Sequence, residues 1–340
     1  MNTPSNTPLK FVMPSWFALV MGLCGLALAW KASAPLLGEV AIGIALVVGV
    51  LALGVFVVVG VASLVRLQRY PEAVQEDLRH PIRHAFFAAI PISMMLLATV
   101  AHALEFRGLA VHVLWLGGSL LQVWVTVWAL GSWLQGAPAG KLWPSITPVL
   151  FIPVVGNVLA PLAGVGLGYS SWAYAQMGIG MLFWPVVLAL LIARVIQHSP
   201  LPDRILPTWM ITVAPPAVLG IDMLQAGLPA VAGALWGVAL FFVLWAGTLA
   251  KRMVSQPFAL PFWGLSFPLA AFSALSLQLA QTSQYDWLQA PALVALAVTS
   301  LLILGLVLGT VRGLRNGSLL APEVVAPIVT ATPEATAPKA

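Results

Sequence analysis

Residues 40–65 read VAIGIALVVGVLALGVFVVVGVASLV, a run with no charged side chain and no polar face. A helix that is apolar all round belongs inside a large core or inside a membrane. Bilayer hydrocarbon is about 30 Å thick, so each crossing needs roughly twenty such residues. Comparable runs recur along the chain, and the polar breaks between them give spans at 14–31, 40–65, 84–102, 109–133, 144–165, 177–197, 205–225, 229–250, 259–280 and 290–311. Composition agrees: 7% of the 340 residues are charged, where a soluble chain carries about 25%. The sequence therefore predicts an all-α polytopic membrane protein with a short N-terminus (1–13), a ten-helix membrane domain (14–315) and a disordered tail rich in Pro, Ala and Thr (316–340). The loops leave no room for a separate catalytic domain.

Charge placement orients the spans. With both termini on one side, Lys10, Arg66, Arg69, Arg79, Arg83, Lys141, Arg194, Arg204, Lys251, Arg252, Arg312, Arg315 and Lys339 share that side, and only Lys31 and Arg107 face the other. Positive residues favour the cytoplasm, which predicts cytoplasmic termini and an even number of crossings. The same placement reads the basic pI as headgroup anchoring and argues against nucleic acid as a partner. The first apolar run follows Lys10 but has no cleavage site and polar mature domain after it, so it reads as a retained helix. Cys24 is the one cysteine and makes no internal disulfide. His84, His102, His112 and His198 lie near span ends without metal-ligand spacing, so neither metal nor cofactor is expected.

Prolines recur at nearly even separations inside the odd-numbered spans: Pro91, Pro153, Pro215 and Pro268. A proline removes an intrahelical hydrogen bond and kinks the helix, and in a membrane the freed carbonyl is tolerated where it is buried or lines a wet cavity. Odd spans around one pathway and even spans facing lipid would explain the pattern. The simpler reading is that proline is common in membrane helices.

None of the ten acidic residues is expected deep in a span; Glu39, Glu105, Asp222 and Asp286 are placed at outer flanks. Proton pumps show buried carboxylates and cation pores show acidic rings, so a neutral pathway with basic residues at its inner mouth suits an anion. Candidate lining residues are Ser15, Ser93, Thr99, Thr147, Asn157, Thr212 and Ser273. Asn157 could donate to a solute or to a proline-freed carbonyl, or it could pack helix against helix. Phe267, just before Pro268, could constrict a narrow channel by bulk and dewetting.

The segments FVMPSWFALVMGLCGLALAW, RHPIRHAFFAAIPIS, WPSITPVLFIPVVGNVLAPLAG and KRMVSQPFALPFWGLSFPLAAFSAL resemble, in that order, the tellurite-resistance and dicarboxylate transporter family, which includes the bacterial TehA proteins and the plant guard-cell slow anion channel. The resemblance covers about residues 10–315. It implies ten helices as five tandem hairpins, quasi-fivefold around a central pore, in homotrimers of the bacterial inner membrane with one pore per subunit. It carries the gate onto Phe267 and a pore glycine onto Gly22, in preference to Gly25. The activity it implies is passive, gated conduction of small monovalent anions such as chloride and nitrate. The alternative is a secondary transporter or exporter of C4-dicarboxylate, sulfite or a tellurium oxyanion. The short termini argue against kinase-driven opening.

Overall fold

The structure, a computed structural model, describes residues 8–134, 146–197 and 200–321. Lys141, His198 and Lys339 lie outside the described residues. In chain order the helices that matter are α1 (Pro14–Ala32), α2 (Glu39–Arg69), α3 (Arg83–Ala103), α4 (Leu109–Gly131), α5 (Pro148–Gly164), α6 (Ser170–Gln197), α7 (Asp203–Gln225), α8 (Pro229–Gly247), α9 (Leu260–Leu279) and α10 (Ser283–Arg315). Among the described residues nine are long and apolar enough to cross a bilayer, and α5 is a shorter apolar helix between α4 and α6. The chain is an all-α, multi-pass membrane protein.

The helices divide into two kinds. In the even-numbered ones only 22% to 39% of the most apolar stretch is buried, against 61% to 83% in α1, α3, α7 and α9. Each even helix turns one narrow stripe inward: in α2 it is Ala41, Ala45, Gly49, Ala52, Val59 and Arg66. Its small residues let α2 pack closely on α1. The remaining faces carry exposed Val47, Val50, Leu53 and Val58, which only lipid can cover. Inner helices make the opposite choice, and nearly every side chain of α5 is buried.

Contacts close the inner set on itself. α1 packs on α3 and on α9, α3 on α5, α5 on α7, and α7 on α9. Outside them, α2 lies on α1, α4 on α3, α6 on α5, α8 on α7 and α10 on α9.

Every inner helix begins as a 3₁₀ helix and relaxes into an α-helix. The 3₁₀ segments are Pro14–Trp16, Arg83–Ala88, Pro148–Leu150, Asp203–Val213 and Leu260–Leu265. Pro91, Pro153, Pro215 and Pro268 all fall in the first turn of the α-helix that follows. Each proline thus stands where the winding changes from three residues per turn to 3.6, and its missing N–H falls at that change. Hydroxyls follow the change in winding. Thr208, Thr212 and Ser266 donate three residues back, to Ile205, Trp209 and Trp263, whereas Ser93 and Thr99 donate four back, to Ala89 and Met95.

Both ends of the described chain lie together, Pro8–Phe11 packing on Ser318–Leu320, with Leu319 buried. On this terminal face the helix Pro71–Arg79 is tied down by Asp77, fully buried, which pairs with Arg66 at 2.7 Å and Arg83 at 3.1 Å. Arg66 also donates to the carbonyl of Lys10. The expected break at residue 65 is therefore not an end: Arg66 has a buried partner, and α2 continues to Arg69. Likewise α6 starts at Ser170, ahead of the expected 177, because Gln176 is hydrogen-bonded inside the protein. Asp77→Ala should destabilise the detergent-solubilised protein by about 3–5 kcal/mol, since it leaves buried arginine charge uncompensated. Thermal unfolding checks this, and Arg66→Met with Asp77→Leu should recover much of the loss.

Candidate anion pathway

A cavity of about 650 Å³ runs inward from the terminal face and is walled by all five inner helices. Its lining follows a period of three: Ser15, Ala18 and Met21; Arg83, Phe86, Ala89 and Ile92; Val149, Ile152, Val155 and Val158; Ile205, Thr208, Ile211 and Ala214; Phe258, Pro261, Gly264 and Phe267. A 3₁₀ helix has three residues per turn and stacks i and i+3 in line. The stripe is straight where it runs through 3₁₀ winding, at Arg83 and Phe86 of α3, at Ile205, Thr208 and Ile211 of α7 and at Pro261 and Gly264 of α9, whereas in α1 it continues into α-helix and in α5 it passes through both windings. The inner limit is set by Met21, Ile92, Leu159, Val218 and Pro268.

The wall is mostly apolar, and its charges are of one sign. Arg83, Arg194 and Arg204 border the cavity near the terminal face, and no aspartate or glutamate among the described residues does. Arg83 pairs with Asp77 and, at 2.6 Å, with Glu76. Its hydrogen bond and its charge hold Glu76 below the usual carboxylate range. His80 also borders the cavity. Burial, then the Arg83 charge, pushes its imidazole below the ordinary histidine range. The neutral ring accepts backbone N–H groups of Ile82 and Arg83 on Nδ1. Cationic charge at this mouth therefore comes from arginine.

Phe267 sits at the deep end, 7% exposed, in the first α turn of α9. Gly25 gives it room: a Cβ there would lie 3.1 Å from Phe267 Cδ2 and 3.0 Å from Ala270 Cβ. Gly22 faces the same helix one turn earlier, where a Cβ would lie 2.2 Å from Ser266 Oγ.

Of the sequence candidates, the structure brings Phe267, Pro268, Pro215, Ser15 and Thr147 to the cavity. Pro91, Pro153, Gly22, Ser93, Thr99, Asn157, Thr212 and Ser273 are buried but do not border it. Ser93 donates to Ala89 and to Phe17, joining α3 to α1. Ser273 and Thr299 share a 3.0 Å hydrogen bond between α9 and α10. Asn157 donates to Val154 and Thr126 and accepts from Gln176, while Gln122 and Thr126 donate to the carbonyl of Pro153. Asn157 is thus part of a network by which α4 and α6 satisfy the broken backbone of α5.

One sequence expectation is corrected. Asp222 was expected at an outer flank, but it is 1% exposed inside α7. Three residues remain before the helix ends, and α8 and α9 pack over them. A buried carboxylate therefore does exist within the spans. Among the described residues no three His, Cys, Asp or Glu side chains are grouped to hold a metal.

Enclosed inner helices, lipid-facing outer helices and a one-sign cavity define a membrane transport protein. The chain belongs to the SLAC1 family, described as voltage-dependent anion channels, whose pattern it matches over residues 12–311. It is 27% identical to a tellurite resistance protein TehA homolog of Haemophilus influenzae, over 92% of this chain and 94% of that one. It is also 27% identical to an uncharacterized transporter of Methanocaldococcus jannaschii, over 79% of this chain and 83% of the relative. Identity to the S-type anion channel SLAH2 of Arabidopsis thaliana is 23% over 79% of this chain, which spans about half, 53%, of the plant protein.

Close packing of α1 on α9 predicts opposite outcomes for two glycines. Gly22→Ala should cost about 1–3 kcal/mol through overpacking, whereas Gly43→Ala, with nothing within 4 Å of the new Cβ, should be neutral or stabilising by up to about 1 kcal/mol. Thermal unfolding of the two variants in detergent checks both.

Proposed function

We propose that this anion-transport protein is a passive, gated channel for small monovalent anions such as chloride and nitrate, occluded at rest by the Phe267 ring. The observation that carries the reading is the cavity itself, bordered by arginines at the terminal face, lined by no carboxylate among the described residues, and with Phe267 in its wall. Arginine at the mouth raises the local anion concentration. The deeper wall offers no strong ligand, so an entering anion can also leave, as conduction requires. An apolar ring across a narrow path blocks by bulk and by dewetting.

The architecture supported by these contacts is five helical hairpins around one pathway. The closed inner set, each member backed by the helix that follows it, supports counting α5 as a crossing and the total as ten. An even count would put both termini on one side, and the basic residues there support a cytoplasmic side, in keeping with our reading of a bacterial inner-membrane protein. The wall is complete within a single chain, which suits one pathway per subunit in a homotrimer.

Coupled transport of C4-dicarboxylate, sulfite or a tellurium oxyanion is the second reading, and buried Asp222 is the observation that favours it. Current in planar bilayers separates the two. Phe267→Ala should carry on the order of tenfold more chloride and nitrate current than the parent at fixed potential, as removal of a hydrophobic constriction predicts. Silence in both, with folded protein in the membrane, would reject the channel reading. Uptake that strictly requires a proton gradient would establish the second.

A further inference from the structure

Pro215 and Val218 border the cavity. Asp222 follows Val218 by four residues and Pro215 by seven, so it lies on the same face of α7, one turn past the inner limit of the cavity. Its side chain is buried, and neither carboxylate oxygen has a hydrogen-bond partner among the described residues. The main packing partners of the α-helical part of α7 (Ala214–Gln225) are α5, α8 and α9. None of the three contains an ionisable side chain. Within α7 itself the other charged groups are Asp203 and Arg204, at its opposite end. A lone ionised carboxylate in such surroundings is among the most expensive groups a protein can bury, and it neutralises instead. In a membrane span an ionisable residue of this kind marks an ion or proton path.

We propose that Asp222 is a proton-binding site in line with the anion pathway, and that anions pass only when it is protonated. This rests on the reading of the cavity as that pathway. Protonated, the carboxyl is neutral and turns an O–H donor toward a passing anion. When the proton leaves to water, the negative carboxylate stands in the anion's path and repels it. The proton binds and leaves without any change in the anion. Phe267 and Asp222 are then two successive barriers on adjacent helices, one steric and one electrostatic.

The test is chloride current through Phe267→Ala, with and without Asp222→Asn, from about pH 5 to about pH 9. With Asp222 present, current should fall about tenfold for each pH unit above the carboxyl's pKa, as the protonated fraction does. With the permanently neutral asparagine it should stay high and nearly flat, while Asp222→Glu should keep the pH dependence. Superimposable pH profiles with and without the Asp222→Asn substitution, at equal abundance, would overturn the proposal. If no variant conducts at any pH, the pathway reading fails and the gating role fails with it. The proton site is then read separately, as an infrared carbonyl band of a protonated carboxylic acid that Asp222→Asn removes; a band unchanged by the substitution would overturn that part too.

Discussion

Hydrocarbon offers no hydrogen bonds, so every carbonyl freed by a proline or by a 3₁₀ turn in a membrane helix must be met by protein or by enclosed water. The inner helices contain many such carbonyls, and this requirement organises the molecule around them. Pro91, Pro153, Pro215 and Pro268 stand where 3₁₀ winding gives way to α winding. At α5, the most broken of the inner helices, Gln122, Thr126 and Gln176 reach in from α4 and α6 to complete the backbone and hold Asn157. Such irregular helices cannot face lipid, so they are enclosed, and the regular, continuous runs of α2, α8 and α10 surround them.

Enclosure in turn shapes the cavity. A 3₁₀ helix aligns every third side chain, and the 3₁₀ entries of α3, α7 and α9, aimed at one space, give a wall whose character follows from a few stripes. Arginine stays at the mouth, where Asp77 and Glu76 pair with Arg83. Deeper residues are apolar or small, and among them is Phe267, which Gly25 allows to sit close against α1. Asp222, one turn past Val218 on α7, is a buried carboxylate away from the terminal face, where Arg66, Asp77 and Arg194 are buried.

Much of this was readable from the residues. Apolar runs gave the spans, because only lipid tolerates a helix like residues 40–65. The even recurrence of Pro91, Pro153, Pro215 and Pro268 picked out the inner helices, because a kinked backbone needs protein around it. Phe267 and Pro268 border the cavity. Of the hydroxyl and amide candidates only Ser15 and Thr147 do, because in a dry interior Ser93, Thr212, Ser273 and Asn157 bond to nearby carbonyls and to neighbouring helices. The stripe with a period of three is invisible to a reading that assumes 3.6 residues per turn, although Thr208, Ile211 and Ala214 spell it in the sequence. Asp222 was misplaced because distance from a span end says nothing about what packs over it.

The central claim is that the 3₁₀ entries of the inner helices line an anion-conducting path that ends at Phe267. Cysteine substitution at each position from 204 to 214 of α7, in a Cys24→Ser, Phe267→Ala background, tests it through block of chloride current by an anionic thiol reagent. Block at 205, 208, 211 and 214, with 206, 209 and 212 unaffected, is the predicted result. Block that favours 206, 209 and 212, or that shows no dependence on a three-residue period, would contradict it.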